Sequence, residues 1–482
     1  MKLSRRRALM AATAATLLEA PAFAATPKSQ TTTNSWDRTC DVVVAGGGAA
    51  GVMAAIHAAK TGASVLLMHA SVVLGGNSAV SSGWIRSANT KWHAARGIRD
   101  TAEDYARNII EYGAGTRNPQ KAHVIAERSR DFVDFLIDWN VPFTDDEDRF
   151  NGGETLRIVK AKGGGGAVMK GLIRALKATE GIEVMTSTRL TAVIKNEGED
   201  AVAGVEAVQG DRTMRIKTKS LVLATGGFGR NQDYVERFAN QWAGTGRIMD
   251  VCDLGDGLRI ATELGAGARN LEICMVCPTL ETTRNVFFPS APVVNGAIFV
   301  NEKGRRFTNE YVIYTQTNID MLKQKAVWEI MTPELHAIVN SMIRMGVATK
   351  CNTIEDLARL IGCEPAGLKA DIEEHNRVTA MPAHQRNDRF GRLAYGKPLV
   401  APYYAARIQP VMIETVGGIT IDEHSRVTSL MGRPILKGFF AAGAVAFGEH
   451  FAKGYRSGEA YVYAGVTGLV AGEQAARHAR SV

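Results

Sequence analysis

After a polar stretch around residues 25 to 36, the chain turns apolar at Val42-Val43-Val44-Ala45, a short run suited to a strand buried on both faces. Gly46-Gly47-Gly48-Ala49-Ala50-Gly51 follows, and then an alanine-rich stretch that keeps a helical pattern to Lys60. Thr61-Gly62-Ala63 reads as a turn into a second apolar strand, Ser64-Val65-Leu66-Leu67-Met68. Apolar residues at Ile109, Ile110, Val124, Ile125, Phe132, Phe135, Leu136 and Trp139 predict helix between Thr101 and Asn140. The run Gly163 to Gly166 precedes another helix reaching Leu176. Strand patterns recur at 183–185, 190–194, 202–208 and 221–228, and beyond about residue 272 short strands alternate with amphipathic helices. A strand-turn pattern returns at Gly438-Phe439-Phe440-Ala441-Ala442-Gly443, and an Ala/Gly-rich helix from Ala460 closes the chain. The pattern predicts an α/β fold in which a Rossmann-like domain carries an inserted α+β domain.

The strand, glycine loop, helix and second strand at 41–68 make up a unit of about 30 residues, the context that gives a G-x-G-x-x-G pattern its meaning. Gly46 allows the tight turn, Gly48 lets the backbone approach a pyrophosphate, and Gly51 lets helix and sheet pack closely. Ala49 and Ala50 begin the helix whose free N–H groups would face the anion. The acidic residue expected at the end of the second strand, for a ribose hydroxyl, is replaced by His69. An imidazole can still hydrogen-bond a hydroxyl.

The chain has 482 residues, room for a large domain with an insertion. Its net charge of +8 overstates its basicity: Lys2, Arg5, Arg6 and Arg7 are offset only by Glu19 among the first two dozen residues, which leaves about +5 on the remainder. That balance, without an aromatic-studded basic stripe, argues against nucleic acid as a partner. Residues 1–24 read as an export signal, with an apolar stretch from Ala8 to Leu18 and Ala22-Phe23-Ala24 as cleavage site. Ser4-Arg5-Arg6-Arg7-Ala8-Leu9 is similar to a twin-arginine signal, which implies a periplasmic protein exported after folding; a general secretory signal is the alternative. No later stretch has the roughly 18 uninterrupted apolar residues of a spanning helix. Cysteines 40, 252, 274, 277, 351 and 363 form no framework. Cys274-x-x-Cys277 reads as two buried thiols, with a disulfide or redox pair as alternatives, and no metal site is expected.

Seven segments, in order, resemble the flavoprotein family of soluble fumarate reductases, urocanate reductases and 3-ketosteroid dehydrogenases. They are Gly46-x-Gly48-x-x-Gly51; Gly75-Gly76-Asn77-Ser78 with Ser82-Gly83; Ala224-Thr225-Gly226-Gly227-Phe228; Gly255-Asp256-Gly257; Asn295-Gly296-Ala297 to Arg306-Phe307-Thr308-Asn309-Glu310; Thr415-Val416-Gly417-Gly418; and Ala441-Ala442-Gly443. The resemblance implies an FAD-binding domain at 37–272 and 415–482 with a capping domain at 273–414. It implies FAD contacts from Gly75, Gly76, Asn77, Ser78, Ser82 and Gly83 at the flavin, from Ala224, Thr225 and Gly226 at the adenosine, and from Asp256, Gly443, Ala444 and Ala460 beyond. Membrane-bound relatives tether FAD through a His in the segment matching Asn77-Ser78, so FAD is expected to be non-covalent here.

The family's chemistry is hydride transfer between flavin and one carbon of a C–C bond beside an electron-withdrawing group. Where fumarate reductases place carboxylate-clamping and relay residues, this chain has Cys277-Pro278-Thr279, Ile413-Glu414, Ser290 and Val293. Their proton-donating Arg is matched by Tyr314, and a clamping Arg by Tyr455 or, one residue on, Arg456. With so few cations a buried dicarboxylate is disfavoured. Tyr314 and Tyr455 instead resemble the paired tyrosines of 3-ketosteroid dehydrogenases, although those enzymes have Gly where Glu459 stands. The expected substrate is therefore a neutral ketone or enone, with Tyr314 moving the proton and Tyr455 holding the carbonyl. The alternatives are a reductase of unsaturated carboxylates, with Arg456 and Arg284 as the clamp, and a flavin-binding protein without turnover. Nothing in the chain reads as a haem or iron–sulfur site or a second nucleotide motif, so electrons are expected to pass to or from a quinone, a cytochrome or oxygen.

Overall fold

The computed structural model describes residues 35–113, 118–145, 156–288, 290–310, 314–392, 396–452 and 455–482. Residues 1–24, read above as an export signal, lie outside the described residues. Residues 37–482 form one contact unit.

The first apolar run forms β1 (Val42–Ala45), buried at all four positions, where the branched side chains suit a strand covered on both faces. Helix α1 (Ala49–Lys60) leads to β2 (Val65–Met68), and β1 and β2 pair in parallel with Val43 opposite Leu66. Strand β3 (Ile182–Met185) adds beside β2, and β4 (Ser220–Leu223) beside β1. The helical pattern between 101 and 140 resolves into two helices, Ala102–Tyr112 and Pro119–Asp138. The strand expected at 221–228 stops at Leu223, because the chain leaves the sheet for a loop in which Gly226 takes φ +80°.

The chain then builds a second, antiparallel sheet from β5 (Cys274–Glu281), β6 (Ile298–Asn301), β7 (Val327–Met331) and β8 (Tyr403–Thr415), with β8 between β5 and β7. It encloses a core of its own that includes Phe299, Ile330, Val339 and Leu357. Beside it four charged groups, all without solvent exposure, form a network of ion pairs. Arg306 bonds Glu310 at 2.7 Å and Asp388 at 2.9 Å, while Arg392 bonds Glu310 at 3.0 Å and donates to the Val293 and Ala297 carbonyls. The Arg306-to-Glu310 motif is thus a structural anchor.

Strand β8 is 13 residues long and joins the two cores: Ile408 belongs to the second and Met412 to the first. Strand β9 (Phe439–Ala441) returns to the first sheet, giving the order β9-β4-β1-β2-β3. The closing helix α2 (Glu459–Ser481) packs on α1 at backbone contact. A Cβ on Gly468 would lie 2.3 Å from the Ala50 oxygen and one on Gly472 2.2 Å from the Ala54 oxygen, which explains the Ala/Gly-rich composition of both helices.

Candidate active site

A cavity of about 590 Å³ opens along the carboxyl ends of β1 and β2. In open parallel sheets this is where ligands bind. Its wall includes Gly46, Gly48, Ala49, Ala50, His69, Gly76, Asn77, Ser78, Ser82, Gly83, Thr225, Gly226, Asp256, Gly443, Ala444 and Ala460. Gly51, Gly75 and Ala224 stand behind it and shape the turn. Gly46 has φ +126°, and a Cβ there would lie 1.9 Å from the Ala224 oxygen; one on Gly51 would lie 1.8 Å from the Gly46 oxygen. Gly75 (φ +149°) donates its N–H to the Gly47 carbonyl at 2.9 Å. The run Gly163 to Gly166 lies under this loop: a Cβ on Gly165 would lie 1.9 Å from the Ser78 oxygen, and one on Gly83 2.4 Å from the Gly164 carbonyl carbon.

Three buried polar atoms of the cavity wall have no hydrogen-bond partner, Asp253 Oδ2 and, beside the glycine cradle, His69 Nε2 and Thr225 Oγ1. His69 Nδ1 accepts from the Gly47 N–H at 3.1 Å, and burial lowers the ring's pKa, so the neutral ring carries its proton on Nε2. It therefore offers a donor where the usual acidic residue offers an acceptor. A backbone cradle at a helix N-terminus with two orphaned polar atoms fits a dinucleotide with its ribose hydroxyls. Asp256 is paired with Arg189 at 2.5 Å, both on the wall.

The opposite wall comes from the second sheet and the loop before α2. It includes Ile248, Met275, Cys277, Ser290, Asn295, Ile413, Glu414 and Tyr455. Tyr455 stacks on Phe451 with ring centroids 5.5 Å apart, and burial, followed by the nearby Glu414 carboxyl and Cys277 thiol, pushes its hydroxyl above the ordinary phenol range. Glu414 is raised to about 8, by burial first and then by the Asp253 charge, with only the Asn77 amide favouring its ionised form. Asp253 is itself raised to about 6 by burial, against hydrogen bonds from the Gly227 and Gly229 amides. Cys277 is raised to about 12 by burial alone, and Cys274 also to about 12. Both thiols are free and buried, as are two neutral apolar groups.

Arg456 does not line the cavity. Its guanidinium lies over the Tyr112 ring at 4.6 Å and bonds the Asn108 carbonyl and side chain. Arg284 does not line it either; its N–H donates to Glu281 Oε2 at 3.0 Å. Tyr314 opens the helix Tyr314–Leu322, and its side chain lies outside the described residues. Glu459, at the position where the resemblance to 3-ketosteroid dehydrogenases breaks, is buried under the Tyr455 loop and accepts from Tyr105 Oη and His450 Nε2, each at 3.2 Å. Burial would raise its carboxyl, but the His450 hydrogen bond and the Arg456 and Arg86 charges outweigh it and hold the carboxyl at about 2.

The Glu414 and Asp253 pair was not assigned a role from the sequence. The signals for Glu414 were its place at a clamping position of the resembled family and its interruption of the apolar run Val411-Met412-Ile413-Glu414-Thr415-Val416; Asp253 had none. Among the described residues that line the cavity, the sole guanidinium is that of Arg189, which is paired, and Lys160 lies over the Trp84 ring at 4.8 Å.

The family described as FAD binding domain matches residues 41–460. The chain is 30% identical over 454 residues to the probable fumarate reductase Ifc3 of Shewanella frigidimarina, covering 92% of this chain and 75% of that protein. Among solved structures, the open conformation of a flavocytochrome c3 fumarate reductase is 28% identical with a TM-score of 0.79, covering 92% of this chain and 79% of that one. The 3-ketosteroid Δ4-(5α)-dehydrogenase of Rhodococcus jostii in complex with 4-androstene-3,17-dione shares the fold, at 24% identity and a TM-score of 0.74, over 93% of this chain and 99% of that one.

Proposed function

The chain belongs to the FAD-binding-domain flavoprotein family of the fumarate reductases, and from that premise we propose that it makes or reduces a C=C bond beside a neutral carbonyl, as in a cyclic ketone or enone. FAD supplies the hydride-transfer chemistry when bound. The observation that carries the substrate reading is the wall opposite the FAD cradle, where Tyr455, Ser290 and Cys277 are neutral and a carboxyl, Glu414, with Asp253 of the neighbouring loop acting on it, stands at a position where a clamping cation was looked for. A carboxylate substrate placed there would lose its hydration without gaining a counter-charge, a cost of several kcal/mol.

In this reading Tyr455 keeps its proton and donates it in a hydrogen bond to the carbonyl oxygen, where negative charge develops. Tyr314, four residues past Glu310 in the sequence, moves the proton at the carbon next to the hydride-exchanging one. Asn77 fixes the approach to the flavin loop by accepting the Asp250 N–H at 2.6 Å. Electrons enter or leave through a separate quinone, cytochrome or oxygen. The leader at 1–24 supports export to the periplasm by the twin-arginine route. Among the described residues no helix is long and apolar enough to cross a membrane.

A second reading, reduction of an unsaturated carboxylate, is favoured by the fumarate reductase relatives and by the presence of Lys160 and Arg189 on the wall. Reduction driven by a reduced viologen dye across fumarate, acrylate, cinnamate, cyclohexenone and steroid enones separates the two. Turnover concentrated on the ketones is expected; turnover confined to the acids would replace the first reading by the second.

A further inference from the structure

We propose that Glu414 is a second hydrogen-bond donor to the substrate's carbonyl oxygen, working as a neutral carboxylic acid beside the Tyr455 hydroxyl. The inference rests on the proposed reaction at a neutral carbonyl and names the group that completes its oxygen site.

The position of Glu414 comes from the fold. Strand β8 carries it to the end of the second sheet, one residue before Thr415, whose Oγ1 accepts the Phe228 N–H at 3.1 Å and ties the strand to the first core. Glu414 and Tyr455 line the same cavity from different elements and lie close enough for the Glu414 charge to act on the Tyr455 hydroxyl. The charged group that acts on Glu414 is Asp253, from the loop before Asp256; Asp253 is in turn acted on by Asp250, and Tyr455, from the loop before α2, by Glu414 and by Cys277 of β5. None of these is a cation. Asn77, with its oxygen engaged by the Asp250 N–H, turns its amide toward the two carboxyls.

Two neighbouring carboxyls without a cation cannot both ionise cheaply, and Glu414, at about 8, is the one that stays protonated near neutral pH. A protonated carboxyl has an O–H to donate. In the same apolar space a neutral phenol and a neutral carboxylic acid together form a two-donor site for an enolate oxygen, a pairing known from ketosteroid isomerisation. Ionised Glu414 would instead repel the developing enolate. The arrangement gains from a substrate oxygen that becomes anionic only in the transition state, and it loses with a substrate that arrives as an anion.

The test uses FAD-loaded enzyme, with 4-substituted phenols of increasing acidity as enolate mimics in calorimetric titrations. Wild-type affinity is expected to rise with phenol acidity. Glu414→Leu is expected to lose ~10-fold for the most acidic phenol, whereas Glu414→Gln, whose amide still donates, stays within ~3-fold. The wild-type kcat/KM for an enone is expected to fall as pH rises through about 8, where Glu414 ionises, and this limb is absent in Glu414→Gln. Phenol binding and enone turnover that are both indifferent to Glu414→Leu would overturn the inference and leave the ketone reading standing. Unchanged phenol binding with a ~100-fold loss of turnover in Glu414→Gln would overturn it in favour of proton transfer to carbon. A wild-type enzyme that binds no phenol and turns over no ketone would remove the ketone reading along with it.

Discussion

The two walls of the cavity are built on opposite principles. On the FAD side much of the surface is backbone: Gly46, Gly48, Gly76 and Gly226 expose main-chain groups between the side chains of His69, Asn77 and Asp256. On the opposite side the surface is side-chain chemistry, Cys277 and Glu414 carried by strands and Ser290 and Tyr455 by the segments beside them. A backbone cradle tolerates almost no change, because adding one carbon collides with a main-chain atom that cannot move. A side-chain wall can be rewritten residue by residue without disturbing its strands. The contrast explains how one fold hosts unrelated substrates.

Substitutions on the two walls should therefore fail differently. The largest effect is expected from Gly51→Ala, whose Cβ would lie 1.8 Å from the Gly46 oxygen. Overpacking of this kind costs about 1–3 kcal/mol where neighbours can shift, and here the neighbour is backbone, so purified protein should retain no FAD by absorbance. Next is Arg392→Met in the capping anchor, which removes one of two cations from the buried Glu310. A loss of about 3–5 kcal/mol is expected in denaturant unfolding. Tyr455→Phe should lower kcat/KM by about 100-fold while FAD content is unchanged, the signature of a donor that acts in the transition state. The smallest effect belongs to His69→Ala, which loses the Gly47 contact and the Nε2 donor; FAD should bind about tenfold more weakly, with no change in substrate preference. If Tyr455→Phe released FAD, or His69→Ala changed the substrate range, the separation of the two walls would break down.

The same division explains what could be read from the residues. The β1–α1–β2 unit, the glycine positions and the Ala/Gly-rich closing helix were legible because each leaves its own local pattern of glycine and alanine in the sequence, even where the atom that excludes a side chain, as the Ala224 oxygen does at Gly46, comes from a distant segment. His69 was legible as a departure, but its inverted hydrogen-bond polarity depends on the Gly47 N–H claiming Nδ1. The second sheet was legible only as short strands. Arg456 resembled a clamp by its place in the motif, yet Asn108 and Tyr112, about 350 residues earlier, hold it away from the cavity. Glu414 became interpretable when the fold set it beside Asp253, Asn77 and Tyr455. Such convergence of distant segments leaves no periodicity or spacing to read.

The most direct test compares two acceptors with the same conjugated skeleton, 4-phenylbut-3-en-2-one and cinnamate, mixed anaerobically with dithionite-reduced, FAD-loaded enzyme in a stopped-flow spectrometer. The wall that lacks clamping cations predicts that the ketone restores the oxidised flavin spectrum and that cinnamate does so at least ~100-fold more slowly. Faster reoxidation by cinnamate would contradict the account.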